Sequence, residues 1–381
     1  MKKTLLAVAL PALLLSGAAH AQSSVTLYGV IDEGLDFTSN AAGHSGYAMV
    51  SGDVAGSRWG LKGSEDLGGG LKAIFQLENG FNINNGKLGQ GGLEFGRLAF
   101  VGLSSERYGK FTVGRQYDPT VDMWSGFTAA GNTMGDFASH PFDNDNADWD
   151  FQIQNSVKYV SPTYHGFTGE AMYGFSNTAG AFATNRMYSA AGTYTIGGLS
   201  AVLAYMKINN GGEGTTGAVS SSTTVFTATS QQDIDAGLSY TFDNKAMLAF
   251  AYSHTDVYNP TANAYFSEQP VAGTQNSWKF DNFEVNGQYF IKPDVWLAAA
   301  YTYTFAHVST DTGRSMPKWN QFSVMLDYDI SKRTSVYVQA AYQHVNGDTG
   351  TQFDDAVIPG SSANSTSDNQ TMVRLGMTHH F

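Results

Sequence analysis

From residue 24 to the C-terminus the chain alternates apolar and polar side chains with a period of two, segment after segment. This is the repeat of a β-strand, in which successive side chains point to opposite faces. Across 295–305, Val295, Leu297, Ala299, Tyr301, Tyr303 and Phe305 share one side, and Trp296, Ala298, Ala300, Thr302 and Thr304 the other. Phe322, Val324, Leu326 and Tyr328 oppose Gln321, Ser323, Met325, Asp327 and Asp329 in the same way, so the second face is wet. Segments 234–242 and 373–381 repeat the pattern, the latter with Arg374 on its polar side.

Continued along the chain, this reading gives sixteen strands, near 24–38, 57–64, 70–80, 94–103, 109–116, 154–161, 166–176, 187–196, 198–208, 232–242, 244–256, 278–291, 293–305, 317–330, 332–346 and 370–381. Short links follow even-numbered strands. Long stretches rich in Gly, Ser, Thr, Asn and Asp follow odd-numbered ones, at 39–56, 81–93, 117–153, 177–186, 209–231, 257–277, 306–316 and 347–369. Short turns on one rim, long loops on the other and about ten alternating residues per strand are the signature of a transmembrane β-barrel. Closure leaves no unpaired edge in the hydrocarbon. Tyr205, Tyr252, Tyr289, Tyr328, Tyr342 and Phe381, at the ends of apolar faces, suit interfacial aromatic girdles. The competing reading is a soluble secreted β protein, whose outward faces would be polar instead. The expected fold is all-β, a sixteen-stranded antiparallel barrel.

The start is an address. Met1-Lys2-Lys3, an apolar stretch from Leu5 to Leu15 and the small-residue site Ala19-His20-Ala21 form a secretory leader over residues 1–21, leaving 22–381 as the barrel domain. Loss of Lys2 and Lys3 takes the net charge from −12 to −14. No other stretch approaches the roughly 18 apolar residues that a membrane helix needs. The absence of cysteine excludes disulfides and thiolate zinc sites, and the acidic balance argues against nucleic acid as a partner.

Residues 24–32, Ser-Val-Thr-Leu-Tyr-Gly-Val-Ile-Asp, and the run from Ser57-Arg58-Trp59-Gly60 to Leu71-Lys72-Ala73 resemble the trimeric general porins of Gram-negative outer membranes, of the beta-proteobacterial type. Arg97-Leu98-Ala99-Phe100-Val101-Gly102-Leu103, Gly114-Arg115-Gln116-Tyr117 and the terminal Phe381 are similar to that family at corresponding places. The resemblance implies a sixteen-stranded barrel in the outer membrane, amid its lipids and lipopolysaccharide. It also implies a homotrimer, passive diffusion of small hydrophilic solutes and ions, and a third loop folded into the pore.

Strand parity puts Arg58, Lys62, Lys72, Arg97, Lys158 and Arg374 on the lumen side, with Asp32, Glu78, Glu170, Asp235, Glu284 and Asp327. On the lipid face Arg or Lys would cost about 2–4 kcal/mol near the midplane. The third long stretch, 117–153, holds Asp118, Asp122, Asp136, Asp143, Asp145, Asp148 and Asp150, with no Lys or Arg between Gln116 and Gln152. If it folds inward as the resemblance implies, Arg58, Lys62 and Arg97 would face Asp118, Asp122 or Asp136 across a constriction. The resulting transverse field orders polar solutes while letting ions leave. The family's Pro-Glu-Phe-Gly loop tip is replaced here by the 122–127 run Asp-Met-Trp-Ser-Gly-Phe, and Asp143 to Asp150 read as solvated loop charges. Arg115 shares parity with the outward Phe111 and Val113, which suggests a trimer-interface role unless Gly114 forms a bulge.

Other chemistry lacks its context. The 143–150 run begins like an EF-hand but has Asp148 at the sixth position and Gln154 at the twelfth, where Gly and Glu belong. The nine histidines include no zinc spacing, and Gly68-Gly69-Gly70 opens no helix. No nucleophile–base pairing is spaced for catalysis, so the chain is read as a channel with no cofactor or metal and not as an enzyme. A solute-preferring channel for an organic acid, phosphate or sugar is the alternative. It would want an aromatic ladder in the lumen, which inward parity hardly supplies beyond Trp296. A surface adhesin is the more distant reading. Net charge and the aspartate-rich loop favour cations, against the Arg and Lys cluster.

Overall fold

The computed structural model describes residues 24–266, 271, 273–347 and 349–381. The leader read over 1–21, and parts of the stretches 257–277 and 347–369, lie outside them. Among the described residues a single antiparallel sheet contains the strands β1 (Ser24–Ala41), β2 (His44–Ser51), β3 (Arg58–Gly68), β4 (Leu71–Gly80), β5 (Leu98–Ser105), β6 (Gly109–Gln116), β7 (Ile153–Val160), β8 (Phe167–Gly174) and β9 (Arg186–Ile196). It continues through β10 (Leu199–Asn209), β11 (Phe226–Thr241), β12 (Met247–Asn263), β13 (Gln275–Lys292), β14 (Val295–Thr310), β15 (Arg314–Ser315), β16 (Lys318–Ser331), β17 (Thr334–Asn346) and β18 (Asn369–His380). β2 and β15 are arms of the long loops; the other sixteen form the wall.

Closure is made where β1 pairs with β18, Val30 opposite His380 through Thr38 opposite Met372. At the short-turn rim Phe381 and Gly29 exchange backbone hydrogen bonds of 3.0 and 3.1 Å, locking the seam with the last residue of the chain. The opposite edge of β1 is shared: its first half pairs with β3 and its second half with β2, a hairpin arm within what the sequence reads as the loop 39–56.

The wall is inverted relative to a soluble protein. Along β18 Leu375 is 65% exposed while its neighbour Arg374 is fully buried. Leu203, Val25, Leu27 and Val285 likewise face outward, whereas Asp32, Asp235, Glu284 and Thr304 are sealed inside. Only lipid makes that arrangement favourable, since apolar side chains face outward and charge needs an aqueous or hydrogen-bonded interior.

The barrel is not an empty tube. Phe142 and Phe151 of the third loop and Phe353 of the last join Phe226, Trp278, Phe280 and Trp319, which point inward from the wall, in a buried cluster. Phe142 meets Trp319 and Phe353 edge-on, with ring centroids 5.6 and 5.9 Å apart. Inward aromatics are therefore more numerous than parity suggested. They form a dry plug rather than a ladder, because the loops that cover them cannot be placed from strand alternation.

Candidate functional site

Residues 117–152, the third long loop, descend into the barrel as a chain of short turns at Thr120–Trp124, Ser125–Phe127, Ala130–Met134, Gly135–Ala138 and Pro141–Asp143. Gly126, Gly131, Gly135 and Pro141 interrupt it too often for a lasting helix, so its backbone groups need partners from the wall. They find them. Trp124 donates through Nε1 to Ala236 O at 3.0 Å, the Ala129 N–H to Glu284 Oε1 at 2.7 Å, and Asn286 and Ser323 donate to the carbonyls of Phe127 and Phe137 at 2.8 and 2.7 Å.

A buried histidine anchors the loop. His140 Nδ1 lies 2.6 Å from Asp145 and Nε2 3.1 Å from Glu284. Ser253 also binds Asp145, and Asn282 donates to both Asp145 and Asn144. Burial opposes the charged imidazolium, yet the two carboxylates push its pKa up to about 10. Burial likewise acts to raise Asp145, but His140 holds that carboxyl below its usual range. Reading only Lys and Arg as counter-charges missed this residue; a lone histidine in an otherwise cation-free acidic stretch was the available signal. Asp143 and Asp145 are thus buried network members, not solvated loop charges, because the loop turns inward and carries them with it.

Of the residues expected around a constriction, some are brought together and some are not. A cavity of about 360 Å³ is lined by Arg58 and Arg97 on the wall, by residues 51–57 of the first loop, and by Gly131, Asp136, Asp148, Trp149 and Asp150 of the third. Glu78 neutralises part of the basic side: it lies 2.9 Å from Arg97 and 3.8 Å from Arg58 and accepts a hydrogen bond from Tyr28. Arg58 also donates to Gly56 O at 2.8 Å, and Arg97 stacks over Tyr117. Burial and neighbouring carboxylates push up the carboxyls of Asp136 and Asp148, and Asp150, exposed at the edge of the cavity, is pushed up to about 7.

Lys62 is not at this cavity; it is exposed lower on the wall, its Nζ 5.0 Å from the Tyr28 ring. Lys72 lies at the short-turn rim beside Gly69, Ser104 and Arg107. Asp122 faces Lys158 instead of an arginine, in a cluster with Glu170, 3.1 Å from Lys158. Asp118 is fully buried, where it accepts from the Thr120 N–H at 2.8 Å, and burial pushes its pKa up to about 6. Asp32 and Arg374 are also fully buried, 2.8 Å apart. Alternation fixes only the inward direction of these side chains, so pairing and depth were beyond it.

Arg115 is corrected. The register shifts between Gly114 and Gln116, with Gly114 at φ 138°, and the guanidinium is buried against Gly96 O at 2.6 Å and Gln152 Oε1 at 2.9 Å. Its hydrogen bonds run to Gly96 and Gln152 at the long-loop rim, so the side chain does not follow the outward parity of Phe111 and Val113. The bulge, read as the alternative, is what breaks the parity.

Comparison with known proteins agrees with this architecture. The family model described as Gram-negative porin matches residues 5–348. An outer membrane porin protein of Bordetella pertussis is 36% identical, with 90% of this chain and 94% of the other covered. Outer membrane porin protein 32 of Delftia acidovorans is 30% identical over the full length of both chains. Among solved structures, an anion-selective porin from Comamonas acidovorans superposes with a TM-score of 0.72 at 24% identity, covering 94% of this chain and all of the other. The trimer form of OmpT from Vibrio cholerae gives 0.65 at 18% identity, covering 94% of this chain and 99% of that one. A closed wall with an apolar exterior, an inward-folded loop and a charged cavity beside it are what such a channel requires, and this chain belongs to the Gram-negative porin family, the diffusion channels of the outer membrane.

Proposed function

We propose that the cavity between Arg58, Arg97 and the third-loop carboxylates is the constriction of the diffusion path, and that it favours cations among small hydrophilic solutes. The observation that carries this is how charge is neutralised around it. On the wall, Glu78 cancels one of the two arginine charges. Across the cavity stand the carboxyls of Asp136, Asp148 and Asp150, which burial and their mutual repulsion push up, that of Asp150 to about 7, so that the loop gains negative charge as pH rises. The local field runs from a partly neutralised arginine wall to a loop whose carboxyls ionise with rising pH, a geometry that orients polar solutes without holding them. The anion selectivity of the Comamonas porin belongs to that protein.

The assembly we propose is a homotrimer set among outer-membrane lipids and lipopolysaccharide, as the trimer form of OmpT supports by fold. Chemical cross-linking in detergent tests it: a band at three times the protomer mass supports the trimer, and monomers alone from conducting protein reject it. For ion preference, the reversal potential of the mature protein in a planar bilayer under a salt gradient is decisive. A cationic sign is expected. An anionic sign at neutral pH would show that the arginines dominate and overturn the reading. Saturable block by an organic acid or a sugar would instead favour the solute-preferring alternative.

A further inference from the structure

We propose that Arg374 is a positioning residue for the constriction. It brackets the returning limb of the first loop, residues 52–57, to the barrel wall, and that limb in turn supports the tip of the third loop. The proposal rests on the reading of the chain as a channel.

The bracket is built around one fully buried guanidinium. Nη2 lies 2.8 Å from Asp32 and donates to Val50 O at 3.0 Å, Nη1 lies 2.9 Å from Asp36, and Nε donates to Tyr337 Oη at 2.8 Å and lies 3.5 Å from Asp53. Asp32 and Asp36 belong to β1, Tyr337 to β17 and Asp53 to the first loop, so the guanidinium ties two wall strands to a loop limb. A planar fork with five donors can serve such divergent acceptors, whereas an ammonium cannot. Gly34 makes room for it: a Cβ there would overlap Arg374 Nε and Cζ.

The limb is fastened again beside the bracket. The Asp53 N–H donates to Asp32 Oδ1 at 3.1 Å, the Gly52 N–H to Asp32 O at 2.9 Å, and Ser57 exchanges hydrogen bonds with the Asp32 backbone. It then meets the third loop. Asp53 O accepts from the Asp136 N–H at 3.3 Å, and Gln339 Nε2 lies 3.4 Å from Asp53 Oδ2 and 3.3 Å from Met134 O. The contact is tight. Gly135, at φ 58° and ψ −146°, lies so close that a Cβ would run into Asp53 O, in a backbone region open essentially to glycine. Both limbs line the cavity. Arg374 is fully buried among Asp32, Asp36 and Asp53 and does not line the cavity; its part is to fix where Asp136 stands.

Single-channel recording of the mature protein tests this on Arg374→Lys, Asp53→Asn and Gly135→Ala. Heat-modifiability on gels and far-UV circular dichroism select the folded barrels. Gly135→Ala leaves every charge in place and tests the contact between the two loop limbs, while Asp53→Asn tests the link to Arg374 if Arg374→Lys does not fold. The expected result is a raised conductance per pore with greater open-channel noise in all folded variants, and no recovery with lysine. Folded variants with the parent's current level and noise would overturn the proposal. A parent protein that does not conduct would instead reject the channel reading itself.

Discussion

Arg58 and Arg374 flank the same strand of the wall, Arg58 opposite Val30 on one edge of β1 and Arg374 opposite Asp36 on the other. Sequence parity treats them alike, as basic residues facing the lumen. Their surroundings do not. Arg374 is sealed among Asp32, Asp36 and Asp53, whereas Arg58 shares a single carboxylate, Glu78, with Arg97 and borders an open cavity. A charge that is neutralised and dehydrated acts on structure; one that is incompletely paired and hydrated acts on solutes. The porin interior is thus divided into brackets and field residues, and the same residue type serves in both.

The sharpest way to break this division is to remove each arginine. Arg374→Ala leaves buried carboxylates unpaired, and losing one partner of such a set typically costs about 3–5 kcal/mol. Urea unfolding in detergent micelles should show a large loss of stability. Arg58→Ala should barely move that transition and should shift the reversal potential toward cations. If Arg58→Ala proves the more destabilising, the division is wrong.

The His140 anchor offers a pH test of the bracket class. Its folded pKa is raised from 6.5 to about 10, so it contributes stability that is fully present below about 6.5 and lost as pH rises through about 10. The unfolding midpoint should fall over that window, and His140→Asn should flatten the fall. A parent profile with no alkaline decline would mean that the imidazole is neutral in its site.

Smaller effects are expected from the field class. Protonation of Asp150, whose carboxyl is pushed up to about 7, should weaken cation preference as pH falls through that value. Asp150→Asn should reduce the preference at neutral pH and remove part of its pH dependence. Glu78→Gln should shift the reversal potential toward anions by uncovering the paired arginines. A reversal potential unchanged by either substitution would place the selective field elsewhere in the lumen.

Much of the wall was legible from residue order. The alternation in 295–305 and 373–381 reappears as β14 and β18 with Leu297 and Leu375 outward, and sixteen strands close as read. Long loops were less so. The 39–56 stretch, rich in Gly and Ser, hides β2, because the alternation of its exposed Tyr47 and Met49 is too short to stand out as a strand. Asp150 is exposed as a solvated charge should be, but the loop path that sets it and the half-buried Asp148 beside the cavity could not be read. Asp118 accepts from the loop's own Thr120 N–H and Asp122 pairs with Lys158, so neither is paired with the arginines.

By itself, the sequence determined the topology and the sidedness of the barrel. Both are local: a period of two assigns each side chain to lipid or lumen, and the cost of a charge in hydrocarbon removes the other option. Only the tertiary structure decided which lumen charges cancel, how the third loop threads between them, and that Gly114 turns Arg115 away from its parity. Those outcomes depend on distances between residues hundreds of positions apart, such as Arg374 and Asp32, and on a loop path without any period to read.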